Sequence, residues 1–150
     1  MRRKEKGERR KAVILVSGGM DSCVTAATAI ADGYQPAFVH INYGQRTESR
    51  ELKAFNKIAY HYQVEQKLVA DISHLSEIGT SCITDENIEV PDADLESHDI
   101  PISYVPFRNA NILAAATSWA EVLGAKTIYV GAVEEDSSGY PDCRRSFFDA

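Results

Sequence analysis

Ala12-Val13-Ile14-Leu15-Val16 runs into Ser17-Gly18-Gly19-Met20-Asp21-Ser22 and then into the Ala-rich stretch Cys23 to Ala31. A continuous apolar run with charge on one side and Gly-Gly on the other suits a strand buried on both faces. Residues 21 to 32 predict a helix with one apolar face, stopped at Gly33. Between the two, adjacent glycines reach backbone conformations closed to residues with a Cβ, and they let a ligand approach the main chain. Amide N–H groups at such a turn converge on one anion, assisted by the positive end of the helix dipole. Ser17 and Ser22 add hydroxyl donors. No Lys follows the last glycine as in a Walker A loop, so a phosphate would be held mainly by backbone dipoles and hydroxyls. Asp21 needs its own explanation, because a carboxylate repels a phosphate unless a cation intervenes. Capping the helix, orienting the loop and sharing a Mg²⁺ with the phosphates all remain open for it. The plainer alternative is a Gly-Gly turn with Asp21 or Ser22 as a simple N-cap.

Outward from this stretch, strands and helices alternate. Pro36 to Ile41 reads as a second strand, leaving through Asn42-Tyr43-Gly44-Gln45-Arg46. Glu48 to Tyr62 predicts a helix, with Leu52, Phe55, Ile58, Ala59 and Tyr62 on one stripe. Gln66 to Ala70 is a short third strand. Helical spacing returns from Asn109 through Ile112, Leu113, Ala116, Trp119, Ala120 and Leu123, with Arg108 at its opening and Gly124 as the stop. Thr127 to Val130 is a fourth buried strand, entering Gly131-Ala132-Val133. The alternation predicts an α/β fold: a doubly wound, mostly parallel sheet with helices on both faces. Ligands of such sheets bind beyond the C-terminal ends of the strands. That edge would collect the glycine loop, Tyr43 as a stacking surface, and Arg46 and Arg108 as cations. The plain readings are a surface turn with a solvated Arg for Tyr43 and Arg46, and a core role for Trp119.

Two segments break the pattern. Residues 71 to 107 hold nine Asp or Glu and no Lys or Arg, with Pro91, Pro101 and Pro106 scattered through them. This irregular acidic insertion reads as a lid or as a solvated loop, with short extended pieces at Thr80 to Thr84 and Ile100 to Val105. After the fourth strand, Ser138-Gly139-Tyr140-Pro141-Asp142-Cys143-Arg144 brings a ring, a carboxylate and guanidinium groups toward the edge of the glycine loop. Such a set suits a planar heterocycle with an acid group. A Pro-turn into a last helix, with Cys143 simply packed, is the alternative.

The 150 residues are long enough to bury a real core. Residues 1 to 11 carry seven basic side chains against two acidic, and read as a flexible basic tail ahead of a domain spanning 12–150. The remainder carries nine basic against twenty acidic side chains, a poor balance for binding nucleic acid directly. No apolar run approaches the length of a membrane span, and no apolar region follows the N-terminal cations as in a secretory signal. A cytoplasmic protein is the expectation. Cys23, Cys82 and Cys143 are far apart and form no Cys-x-x-Cys pair, which fits reduced thiols.

The loop resembles Ser-Gly-Gly-x-Asp-Ser, the pyrophosphate loop of the ATP-pyrophosphatase superfamily. That resemblance implies an adenine-nucleotide alpha-hydrolase-like, Rossmann-like domain. Asn42-Tyr43-Gly44-Gln45-Arg46, Tyr104-Val105-Pro106-x-Arg108-Asn109, Trp119-Ala120-Glu121 and the 138–144 stretch follow in order. With the loop, they resemble the 7-cyano-7-deazaguanine synthase family of queuosine and archaeosine biosynthesis, over essentially residues 12 to 149. The resemblance implies conversion of 7-carboxy-7-deazaguanine and ammonia to a nitrile with ATP and Mg²⁺. It implies that Val16, Ser17, Gly18, Gly19, Met20, Asp21 and Ser22 bind ATP, with Asp21 and Arg108 catalytic. Tyr43, Gln45, Arg46, Asn109, Gly139, Tyr140, Asp142 and Arg144 fall to the deazapurine. The family continues into a region with cysteines that bind structural Zn²⁺, absent from these residues, and is expected to form a homodimer. Another pyrophosphate-loop enzyme, such as a tRNA-modifying ligase or sulfurtransferase, would need a basic RNA-binding surface. A non-catalytic nucleotide-binding module is the third reading.

Overall fold

A computed structural model describes residues 10–78, 81–85, 87–89, 100–132 and 139–150. Four parallel strands form one sheet: β1 (Lys11–Leu15), β2 (Gln35–Asn42), β3 (Lys67–Asp71) and β4 (Thr127–Tyr129), in the order β3-β2-β1-β4. Leu15 pairs with Val39 and Ile14 with Tyr129, so β1 lies at the centre between β2 and β4. Helices α1 (Met20–Ala31) and α2 (Glu48–His61) cover one face, and α4 (Arg108–Leu123) covers the other. The expected doubly wound α/β architecture is therefore present.

Alternation along the strands divides the core in two. Ile14, Val16 and Phe38 point to Ala26 and Ala29 of α1 and to Phe55 and Ala59 of α2. Val13, Leu15, Val39 and Ile41 point to Ala116 and Ala120 of α4, with Ile112, Leu113, Trp119 and Leu123 packed around them. Both faces of β1 and β2 are thus covered, which is why these strands read as unbroken apolar runs. Trp119 belongs to the core, as its helical spacing suggests.

Several boundaries and one burial differ from expectation. β1 begins at Lys11, inside the stretch read as a tail; Lys11 Nζ donates to Leu123 O at 3.4 Å. Residues 1–9 of that tail lie outside the described residues. β4 is half-buried along its length and ends at Tyr129, because it is the edge strand of the described sheet. Tyr129 Oη donates to Asp32 Oδ2 at 2.6 Å, tying β4 to the end of α1.

Within residues 71 to 107 the structure places a short helix, α3 (His74–Ile78), which five residues are too few to announce by periodicity. Of the stretches read as extended, the described part of Thr80 to Thr84 turns at residues 82–84 and Ile100 to Val105 turns at residues 102–103, with no strand in either. Ser81 O accepts from the N–H groups of Thr84 and Asp85, so local bonds replace a ladder. Cys82 N–H donates to Ile102 O at 3.0 Å and joins the two turns. Thr80 and the acidic stretch 90–99 lie outside the described residues. The chain ends in a 3₁₀ turn (Pro141–Cys143) and a short helix α5 (Arg145–Asp149).

Candidate active site

The chain runs β1, β2, β3 in one direction across the sheet and then returns to place β4 on the other side of β1. The order reverses between β1 and β4, and the crevice at the C-terminal end of such strands is where α/β sheets bind ligands. The glycine loop follows β1 at this point, and Val130-Gly131 follow β4.

The loop is shaped by close packing. Gly18 has φ +95°, and a Cβ there would lie 2.7 Å from Ala54 Cβ and 2.9 Å from Glu51 O on α2. Only glycine allows both the conformation and the approach. Gly131 allows only a close approach, from the β4 side: a Cβ would meet Thr25 Oγ1 at 2.6 Å and Asp21 O at 3.1 Å. Ser22 Oγ accepts from Gly18 N–H at 3.1 Å and donates to Gly19 O at 2.9 Å. Gly19 N–H donates to Ser17 Oγ at 3.3 Å. The sequence suggested Asp21 or Ser22 as N-cap; Gly19 holds that position, with no side-chain cap. The first helical bond runs from Cys23 N–H to Gly19 O, so the N–H groups of Met20, Asp21 and Ser22 have no acceptor among the described residues. Met20 and Asp21 are exposed at the loop's rim.

A cleft of about 290 Å³ opens beside this loop. Val16, Ser17, Ser22 and Gly131 line it on the loop side, and Tyr43, Glu51, Arg108 and Asn109 supply the other polar groups. Its floor is apolar, from Leu15, Val39, Ile41, Ile112 and Val130. The Arg108 guanidinium carbon lies 5.2 Å from the centre of the Tyr43 ring, and its Nη1 donates to Tyr43 Oη at 3.4 Å. Burial raises the Tyr43 pKa above its ordinary value, with the Arg108 charge opposing the shift.

The remaining sequence-predicted residues stand around the cleft rather than in it. Gln45 is buried; its Oε1 accepts from Tyr43 N–H at 2.9 Å and its Nε2 donates to Glu51 Oε2 at 3.0 Å. It therefore holds two cleft residues in place. Arg46 turns away, donating to the carbonyls of Asp85 and Ile88. Asp142 is 2% exposed, and its Oδ2 accepts from Asn109 N–H at 2.8 Å. Asn109 Nδ2 returns a bond to Asp142 O at 2.9 Å and reaches Cys143 Sγ at 3.3 Å. Asp142 thus caps α4 from another part of the chain, where Phe107 at the N-cap offers no side-chain bond. Tyr140 packs its ring 5.7 Å from that of Tyr104 and shares a hydrogen bond with Ser103 Oγ. Gly139 has φ +99°, and Arg144 is exposed at the start of α5.

Sequence reasoning passed over Glu51, which faces the cleft from a helix read only for its apolar stripe. It also passed over His40, whose signal was a lone imidazole inside Ala37 to Ile41, a run otherwise apolar. Among the described residues, no three His, Cys, Asp or Glu side chains gather as a metal site would require. No helix of the described residues is long and apolar enough to cross a membrane.

The family model described as "Queuosine biosynthesis protein QueC" matches residues 11–150. The chain belongs to that family. It is 59% identical over 140 residues to a protein of Chlorobium phaeobacteroides strain BS1 and to one of Chlorobaculum parvum, each named 7-cyano-7-deazaguanine synthase. It is 58% identical to the protein of that name from Chlorobaculum tepidum. Each match covers 93% of this chain and 62% of the relative, so the chain spans about three-fifths of the length of the curated relatives it matches.

Proposed function

We propose that this chain carries the catalytic cleft of a 7-cyano-7-deazaguanine synthase, acting in the cytoplasm on 7-carboxy-7-deazaguanine and ammonia to give the nitrile. The observation that carries the reading is the glycine loop at the sheet's switch point, opening on the cleft of Tyr43 and Arg108 in a member of this family. A carboxylate is a poor electrophile, so one of its oxygens must be made a leaving group before nitrogen can replace it. ATP supplies that activation when bound, once for amide formation and once for dehydration to the nitrile.

The chain's own residues fit a triphosphate. The N–H groups of Met20, Asp21 and Ser22 have no acceptor among the described residues, and the hydroxyls of Ser17 and Ser22 stand beside them. Asp21, exposed on the rim, would help hold Mg²⁺, which would offset the repulsion between its carboxylate and a phosphate. Arg108 places a fixed cation across the cleft to stabilise charge developing on phosphate and carboxylate oxygens. Tyr43 offers a ring face, and Asn109 a side chain held by Asp142, on which a planar deazapurine would rest. Gln45 and Asp142 act by holding these residues. The described residues offer no set for a structural zinc, and no step depends on one. Recognition is of small molecules rather than of nucleic acid or membrane, and the assembly expected of the family is a homodimer.

The test is mass-spectrometric turnover of 7-carboxy-7-deazaguanine with MgATP and ammonium. Nitrile should form with the unsubstituted protein and be abolished by Asp21→Ala with the fold intact by circular dichroism. Bound ATP without nitrile would sink the catalytic reading.

A further inference from the structure

Val16 is the last residue before the glycine loop, and β2 holds both of its backbone polar groups. Its N–H donates to Val39 O at 2.9 Å. Its carbonyl meets no strand amide; instead His40 Nδ1 lies 2.9 Å away. A carbonyl only accepts, so Nδ1 carries the proton and the imidazole is the donor. His40 is 1% exposed, with its ring 5.3 Å from that of Phe55 on α2. Gly18 packs against the same turn of α2, close to Glu51 O and Phe55 N. The imidazole therefore stands directly behind the loop.

Its other nitrogen makes the arrangement informative. Nε2 is buried and has no partner among the described residues. An imidazole with half its hydrogen-bonding capacity unmet is a poor choice for an apolar core that Leu or Phe would fill without that penalty. What His40 offers in return is the bond from Nδ1. The carbonyl of Val16 and the N–H of Ser17 belong to one planar trans peptide and point in opposite directions. Fixing the carbonyl on β2 therefore turns Ser17 N–H away from β2, and that N–H has no acceptor among the described residues.

We propose that His40 is a positioning residue for the glycine loop: its Nδ1–H locks the Val16–Ser17 peptide so that Ser17 N–H is presented to a phosphate oxygen. The inference rests on the loop's role in ATP binding proposed above, and it adds a donor and the residue that aims it. It differs from a purely structural role in what replacement does at matched stability.

The experiment is calorimetric titration of the full chain with MgATP, alongside thermal midpoints, for the unsubstituted protein and four variants. His40→Leu should weaken binding about tenfold, the effect of losing one well-placed buried hydrogen bond. His40→Asn, whose side-chain amide N–H replaces Nδ1–H, should keep most of the affinity. His40→Gln carries its amide one atom further out and should behave as His40→Leu, which keeps the comparison alive if the Leu variant does not fold. Phe38→Leu, two residues earlier on the same face of β2, should lower the thermal midpoint and leave the affinity unchanged. Affinity unaltered in both His40→Leu and His40→Gln would overturn the proposal, as would a His40→Asn variant no better than either, or an equal loss in Phe38→Leu. Absence of MgATP binding by the unsubstituted protein would instead bring down the loop's phosphate role, and this inference with it.

Discussion

On one side of the cleft, Val16, Ser17, Ser22 and Gly131 form the wall where the glycine loop meets the sheet; on the other, Tyr43, Glu51, Arg108 and Asn109 supply the polar groups. The first wall has no room to change. Gly18 and Gly131 sit against α2 and α1 at distances that no Cβ tolerates, and the loop's hydroxyls and amides bond to one another. The second wall is a set of cross-braced side chains. Gln45 holds Tyr43 and Glu51, Asp142 holds Asn109, and Arg108 leans on the Tyr43 ring. The difference suits the proposed chemistry. A triphosphate offers the same oxygens in every nucleotide, and fixed backbone dipoles meet them with little reorganisation. A heterocycle with an acid group must be distinguished from others, which side chains with directional donors do better.

If the loop wall depends on backbone, one methyl group should break it most. Gly18→Ala would force a positive φ on a residue with a Cβ and drive that carbon into Ala54 and the Glu51 carbonyl. We expect a loss of about 3 kcal/mol in denaturant unfolding, with MgATP binding lost in whatever remains folded. A variant with unchanged midpoint and affinity would show that the loop can relax, and the contrast between the walls would fall.

The bracing of the second wall is tested by Asp142→Ala. It leaves Asn109 N–H without its acceptor at the start of α4, where the helix dipole favours a negative charge. The expected loss is about 2 kcal/mol in unfolding, smaller than for Gly18→Ala because the backbone path is unchanged. MgATP affinity should hold while affinity for the deazapurine falls. Equal losses for both ligands would mean that the two walls are not separable.

The same contrast explains what the sequence made legible. β1, β2, α2 and α4 were readable because each is covered by apolar neighbours, so burial imposes a pattern that residue types reveal. The loop was readable because Gly18 and Gly19 have few other uses between a strand and a helix. The positions of Arg46 and Asp142 were not. Arg46 spends its donors on the carbonyls of Asp85 and Ile88, far along the chain, and Asp142 caps a helix that begins at Arg108. Such bonds depend on tertiary approach, and no local pattern announces them. α3 escaped for a different reason: Ser76 Oγ bonds Ser73 O and Asp71 takes Ser73 N–H, local bonds that build one turn without periodicity.

The smallest expected effect on stability comes from Arg108→Met, which keeps the length of the side chain and removes its charge. Unfolding should change little, because the bond to Tyr43 Oη is long and the residue only half-buried. MgATP affinity should fall about tenfold if the guanidinium faces phosphate across the cleft. A second reading comes from Tyr43 itself. Burial already holds its phenol above the ordinary value of 10.0, while Arg108 pulls it down. Because the folded value is raised, the neutral phenol's contribution to stability is complete below pH 10.0 and is lost as pH rises through the folded value. Removing the cation should move that titration further up, followed by phenolate absorbance with Tyr43→Phe marking the step. A downward move would mean that Arg108 does not act on Tyr43 as the geometry implies. The side-chain wall would then be a set of neighbours rather than a coupled unit, and the affinity loss would have to come from the guanidinium alone.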